Sequence, residues 1–137
     1  FKVGYPLKSK YGMEGQLLET KTYHIGVEAT MEIIGGKWKS IILCHLRTQT
    51  MRTSELERAI PQISQKMLVQ QLRELEAANI VTRKVYQQVP PRVEYGLSDY
   101  GRSLSVVLHE LCVWGEDNID RRRAAGEEIA LLHRDDL

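Results

Sequence analysis

Apolar residues recur along this chain with a helical period in five places and with a strand period in one. Val27, Met31 and Ile34 fall at i, i+4 and i+7, which predicts a short helix over 27–34. Gly35-Gly36 ends it, because glycine supplies the left-handed backbone that a helix C-terminus often needs. A second helix over 38–46 is expected to bury Trp38, Ile41, Ile42 and one of His45 or Leu46. A polar turn follows over 47–51, with Met51-Arg52 read as a very short strand. Thr53 or Ser54 then caps a third helix that turns Leu56 and Ile60 inward and stops at Pro61. The fourth helix takes Ser64 as its N-cap and runs to about Ala78. Its apolar stripe is Leu68, Leu72 and Leu75, with Met67 beside it, and Asn79 sits where a helix commonly closes.

From Ile80 the period changes to two. Val81, Arg83, Val85, Gln87 and then Arg92 and Glu94 are read as alternating with Thr82, Lys84, Tyr86 and then Val93, Tyr95 and Leu97. The β-branched and aromatic residues support two strands, and Pro90-Pro91 bends the chain between them. Ser98 or Asp99 is expected to cap a long last helix through about Arg122, with Leu104, Leu108, Leu111 and Trp114 or Gly115 as its stripe, widened by Val107 and Cys112. Four helices, a hairpin and a helix make a mainly α fold with a small β-hairpin, the winged helix-turn-helix arrangement. The last helix carries more apolar surface than one small domain needs, so Leu104, Leu108, Leu111 and Trp114 are candidate dimer contacts. The expected organisation is an N-terminal arm over 1–22, a DNA-binding domain with its dimerisation helix over 23–123, and a tail over 124–137.

Composition narrows the function by exclusion. With 137 residues, 42% of them apolar, the chain suits one soluble domain with a modest core. No apolar run approaches the roughly 18 residues that cross a bilayer, so no membrane span is expected. Phe1 to Glu14 lacks the apolar core and small-residue cleavage pattern of a secretory signal. The two cysteines, Cys44 and Cys112, each sit in an apolar helical pattern; they read as small buried hydrophobes in a reducing cytoplasm, with a redox switch as the lesser alternative, and not as a disulfide framework. His24, His45, His109 and His133 are scattered without ligand spacing, so no metal is expected. Gly35-Gly36-Lys37 lacks the first glycine and the Ser/Thr of a phosphate-binding loop. No nucleophile motif is present, and the reading is of a protein that is not an enzyme and needs no cofactor.

Charge points to a partner. Before residue 110 there are 15 Lys and Arg against 10 Asp and Glu, and from Glu110 onward 4 Arg against 8 acids. The basic excess thus lies with the predicted helix pair and hairpin, where a polyanion would dock. In a helix-turn-helix the second helix enters the major groove and reads base edges with its N-terminal half. Opposite the leucine stripe of the fourth helix lie Lys66, Gln70 and Arg73, flanked by Gln65 and Val69. Glutamine pairs bidentately with adenine and lysine prefers guanine edges or phosphate, so Gln65, Lys66 and Gln70 are the candidate base contacts. Ser64 serves as cap, as phosphate donor or as both, and Arg73 makes either a phosphate contact or surface ion pairs with Glu74 and Glu76. Arg83, Lys84 and Arg92 on the hairpin, with Arg52 and Thr53, are candidate backbone contacts to double-stranded DNA. Lys37 and Lys39 read more simply as plain surface lysines.

Six segments also carry a resemblance: Val27-Glu28-Ala29-Thr30, Ile34-Gly35-Gly36-Lys37-Trp38-Lys39, Ile63-Ser64-Gln65-Lys66-Met67-Leu68, Gln71-Leu72-Arg73-Glu74-Leu75-Glu76, Val89-Pro90-Pro91-Arg92-Val93-Glu94-Tyr95 and Leu97-Ser98-Asp99-Tyr100-Gly101. In this order they resemble the HxlR-type family of bacterial winged-helix transcription regulators, over about Tyr23 to Gly115. The resemblance implies a cytoplasmic homodimer on partly palindromic operators, with N- and C-terminal helices building the interface. Several members of that family sense oxidants through a cysteine just before the Val-Glu-Ala segment. Ile25 and its neighbours His24 and Gly26 match that position here, so the usual sensing thiol is absent, and Cys44 and Cys112 inherit no such role. The alternatives are a winged helix that docks on another protein, and a sensor for a small-molecule effector with a pocket near Trp38, Trp114 and Tyr100.

Overall fold

A computed structural model describes residues 20–135. The elements are α1 (Gly26–Ile34), α2 (Lys39–Leu46), α3 (Thr53–Ala59), α4 (Gln65–Ala77), β1 (Val81–Tyr86), β2 (Arg92–Leu97), a 3-10 turn (Gly101–Leu104) and α5 (Ser105–Ala124). The expected arm over 1–22 lies almost wholly outside the described residues.

One apolar core joins all of them. Ile34 comes from α1, Ile42, Leu43 and Leu46 from α2, Leu56 from α3, Leu68, Leu72 and Leu75 from α4, Val81 and Leu97 from the hairpin, and Leu108 from α5. The stripes expected on α3 and α4 are the ones that are buried. On α2 the phase differs by one residue: Ile41 is 38% exposed, while Leu43 is fully buried and Trp38 packs half-buried at the edge. The 38–46 segment is apolar nearly all round, so its period alone did not choose the inner face.

Caps and turns follow local chemistry. The Ser64 hydroxyl oxygen accepts from the Met67 amide at 3.1 Å, which satisfies one of the four donors left free at the start of α4. Asn79 closes that helix with φ 61°, a left-handed conformation that asparagine tolerates better than most residues. Gly36, at φ 79°, does the same after α1. At α3 the cap is Arg52, with its amide donating to the Glu55 carboxylate at 2.9 Å, and Thr53 is already inside the helix, one residue earlier than expected. Ser98 stands ahead of the 3-10 turn, whose N-cap is Tyr100, rather than at α5: its hydroxyl donates to the Asn79 carbonyl at 2.7 Å and accepts from the Gly101 amide at 2.8 Å. A Cβ on Gly101 would stand 2.1 Å from the Ile80 carbonyl oxygen, so only glycine lets this turn pass so close to the start of β1.

The hairpin is antiparallel, pairing Val81 with Leu97, Arg83 with Tyr95 and Val85 with Val93 across the strands. Residues paired in this way share a face. Arg83 therefore lies with Val85, Val93 and Tyr95, while Lys84 and Arg92 lie with Tyr86 and Glu94 on the other side. This corrects the expected alternation, which put Arg92 and Glu94 with Arg83; the loop between the strands sets the register, and alternation within each strand cannot. Met51 adds a single bridge to Tyr95, with amide–carbonyl bonds of 2.9 and 2.8 Å, where the very short strand was expected.

Beyond α5 the chain turns at Gly126, φ 102°, and runs back alongside the helix. Arg122 clasps Glu127 through two bonds of 2.8 Å, and Arg123 donates to the Ile129 carbonyl at 2.8 Å. Asp135 ends in a socket of α2 and α5 side chains: its carboxylate binds Arg47 and, at 2.6 Å, His109 Nδ1. Arg47 holds the Asp135 carboxyl below its ordinary range, with His109 adding to the effect. The tail expected over 124–137 thus has an anchor within the described residues.

Candidate nucleic-acid interface

α4 is positioned by its leucines. With Leu68, Leu72 and Leu75 fixed in the core, the helical period turns Gln65, Lys66, Gln70 and Arg73 outward, and all four are exposed. They line one shallow concavity together with Val69 and Glu74. Ser64 stands exposed at the helix start, so the first-turn amides and the positive end of the helix dipole open beside Gln65 and Lys66. Among the described residues neither Lys66 nor Arg73 is held in an ion pair; the carboxylate of Glu74 is taken instead by Lys39, at 2.9 Å. That bond holds the Glu74 carboxyl below its ordinary range. Lys39, read from the sequence as a plain surface lysine, therefore neutralises the one acid on this groove, a pairing across 35 positions that no local pattern signals.

The wing cations separate into two groups. Arg83 is exposed on the face of Val85 and Val93. On the other face Lys84 stands 4.8 Å from the Tyr86 ring centroid, and the Arg92 guanidinium 4.9 Å from the same ring. Arg92 is also bound to Glu94, a buried carboxylate that accepts from the hydroxyls of Thr50 and Tyr86 at 3.2 Å each. These donors, Arg92 first, hold the Glu94 carboxyl below its ordinary value. Glu94 thus ties the wing to the turn before α3 through Thr50, and a second concavity collects Arg52, Ser54, Arg58, Arg92 and Glu94 there. Arg52 is exposed and Thr53 half-buried at its edge.

The expected dimer residues also divide. Leu108 is 0% exposed and serves the subunit's own core, and Leu104 packs half-buried against it. Leu111, 46% exposed, and Trp114, 71% exposed, stand out from α5. Sequence reasoning missed Val106 beside them; Val106 and Val107 are both exposed too, although they were visible as apolar residues on the same helix. The concavity at Trp114 is lined also by Asp117, Asn118, Asp120 and Arg121, and includes neither Trp38 nor Tyr100. No helix among the described residues is long and apolar enough to cross a membrane.

Known proteins agree with this arrangement. The profile of the HxlR-like helix-turn-helix family matches residues 33–123. The HTH-type transcriptional regulator YtcD of Bacillus subtilis (strain 168) is 62% identical over 104 residues, which cover 76% of this chain and 82% of that protein. YkvN, an HTH-type transcriptional regulator of the same organism, is 52% identical over 107 residues, 78% of this chain and 91% of its own. The crystal structure of YtcD superposes with a TM-score of 0.67 at 59% identity, over 70% of this chain and 98% of that one. Four helices, a two-stranded wing and a closing helix, with a family match spanning all but the first of them, give the fold its name: the chain is a winged helix-turn-helix protein and belongs to the HxlR-like helix-turn-helix family.

Proposed function

We propose that this protein is a sequence-specific DNA-binding transcription regulator that acts in the cytoplasm as a homodimer on a partly palindromic operator. The observation that carries the reading is the outer face of α4. Gln65, Lys66, Gln70 and Arg73 stand free on a helix whose opposite side is locked into the core, and Ser64 caps its N-terminus. A rigid helix with glutamine and cation side chains suits the base edges and phosphates of a major groove.

In this reading Gln65, Lys66 and Gln70 contact bases, and Ser64 and Arg73 contact flanking phosphates. Arg52, Thr53, Arg83 and Lys84 contact the backbone at the turn and the wing. Arg92 acts by holding the wing, since its guanidinium is already engaged by Glu94. The homodimer is supported by the uncovered apolar residues on α5, Val106, Val107, Leu111 and Trp114, together with Ile25, Val27 and Met31 near α1. Two recognition helices related by a two-fold axis read half-sites about one helical turn, roughly 34 Å, apart.

Selection of bound fragments from random duplexes tests the whole reading. The expected result is an enriched motif with inverted repeats, bound more tightly than random duplex by about a thousandfold or more and weakened steeply by salt. Binding that enriches no motif would reduce the protein to a nonspecific cation surface, and no binding would remove DNA as the partner.

A further inference from the structure

The two cysteines of the chain, 68 positions apart in sequence, meet at the seam between α2 and α5, with Sγ atoms 3.7 Å apart. Each side chain is half-buried. The pair lines an open, mostly apolar hollow of about 300 Å³ with Ser40, Ile41, His45 and Leu111, so a small neutral molecule can reach both sulfurs from solvent. A disulfide needs its sulfurs at about 2.05 Å, and side-chain rotation covers a shortfall of this size where two packed helices already set the thiols face to face.

We propose that Cys44 and Cys112 form a dithiol site that hydrogen peroxide converts reversibly into an intrachain disulfide, stapling α5 to α2. In the first step Cys112 Sγ attacks one peroxide oxygen and the O–O bond breaks. One oxygen leaves as water and the other stays as a sulfenic acid on Cys112. Cys44 Sγ then attacks that sulfur, the S–O bond breaks, and the departing hydroxide takes the Cys44 thiol proton to leave as a second water. Two thiols lose two electrons and two protons, and one peroxide becomes two waters. The order follows from the surroundings of Cys44. Burial first, and then the facing Cys112, push its thiol up to about 12, which makes it the poorer first nucleophile and leaves the first attack to Cys112. The inference stands apart from DNA binding and needs no second subunit.

The experiment treats the folded full chain with hydrogen peroxide, alkylates the remaining thiols and maps the peptides without reduction. The expected result is loss of two hydrogens from the intact mass, a Cys44–Cys112 linkage within one chain, and recovery of both free thiols with dithiothreitol. Cys44→Ser should abolish the linkage and leave Cys112 as a sulfenic acid that dimedone traps. Both thiols remaining fully alkylatable, a disulfide only between chains, or irreversible oxidation of one thiol beside a free partner would each overturn the proposal. The wild-type map decides this even where a variant folds poorly.

Discussion

Ser64 does two jobs at one backbone position. Its hydroxyl oxygen closes the first turn of α4, and the helix it starts carries the side chains offered to DNA. Ser64→Ala should therefore cost about 1 kcal/mol of folding stability, the usual worth of such a cap, measured by urea denaturation. A midpoint that does not move would mean that the cap has been replaced by solvent. Gln70 contributes little to that balance, because it is exposed and its helix is held from the other side. Its effect belongs to recognition alone: Gln70→Ala should weaken operator binding by about 1–3 kcal/mol, roughly five- to 160-fold, and leave random duplex almost unchanged in a competition assay. Equal loss on both duplexes would remove it from base reading. Both residues were legible in the sequence because their signals are local, a hydroxyl before a helical period and an amide opposite a leucine stripe. Lys39 was not, since its partner Glu74 is brought to it only by the packing of α2 on α4.

The hairpin teaches a different lesson at the scale of the element. Its existence and length could be read from alternation, but its register could not, and register decides which cations stand together. Arg83 is the wing arginine free to meet phosphate, whereas Arg92 is bound by Glu94. Arg83→Ala should accordingly flatten the salt dependence of DNA binding by about one phosphate contact, and Arg92→Ala by less. Slopes reduced in the reverse order would place the DNA on the other face of the wing. Glu94 makes the element sensitive to acid. Its carboxyl lies below its ordinary value of 4.5 when folded, chiefly because Arg92 donates to it. A carboxyl lowered on folding adds stability above its unfolded value and loses it as pH falls through the folded one. The melting temperature should drop between about pH 5 and pH 3, and Glu94→Gln should make that drop shallower. An identical acid limb in the variant would mean that Asp135 or another carboxylate governs the loss.

At the scale of the molecule, the open question is what covers α5. The sequence showed an apolar excess on this helix, and the structure divides it: Leu104 and Leu108 serve the subunit's own core, while Val106, Val107, Leu111 and Trp114 are left uncovered. The tail does not account for them, because it runs along the side of α5 marked by His109, Glu116 and Asp120. Large apolar side chains left bare on one helix favour a second copy of the same surface, because a two-fold pair buries the same patch on both subunits. Trp114→Glu places a charge in that contact and, at 71% exposure, disturbs nothing inside the subunit. The variant should keep its helical circular dichroism and its melting cooperativity yet sediment as a monomer. Its operator affinity should fall by about tenfold or more, because a monomer offers one recognition helix to a site built for two, while its weak affinity for a single half-site stays near the wild-type value. A Trp114→Glu protein that still sediments as a dimer would move the interface off this face of α5 and onto the apolar residues around α1.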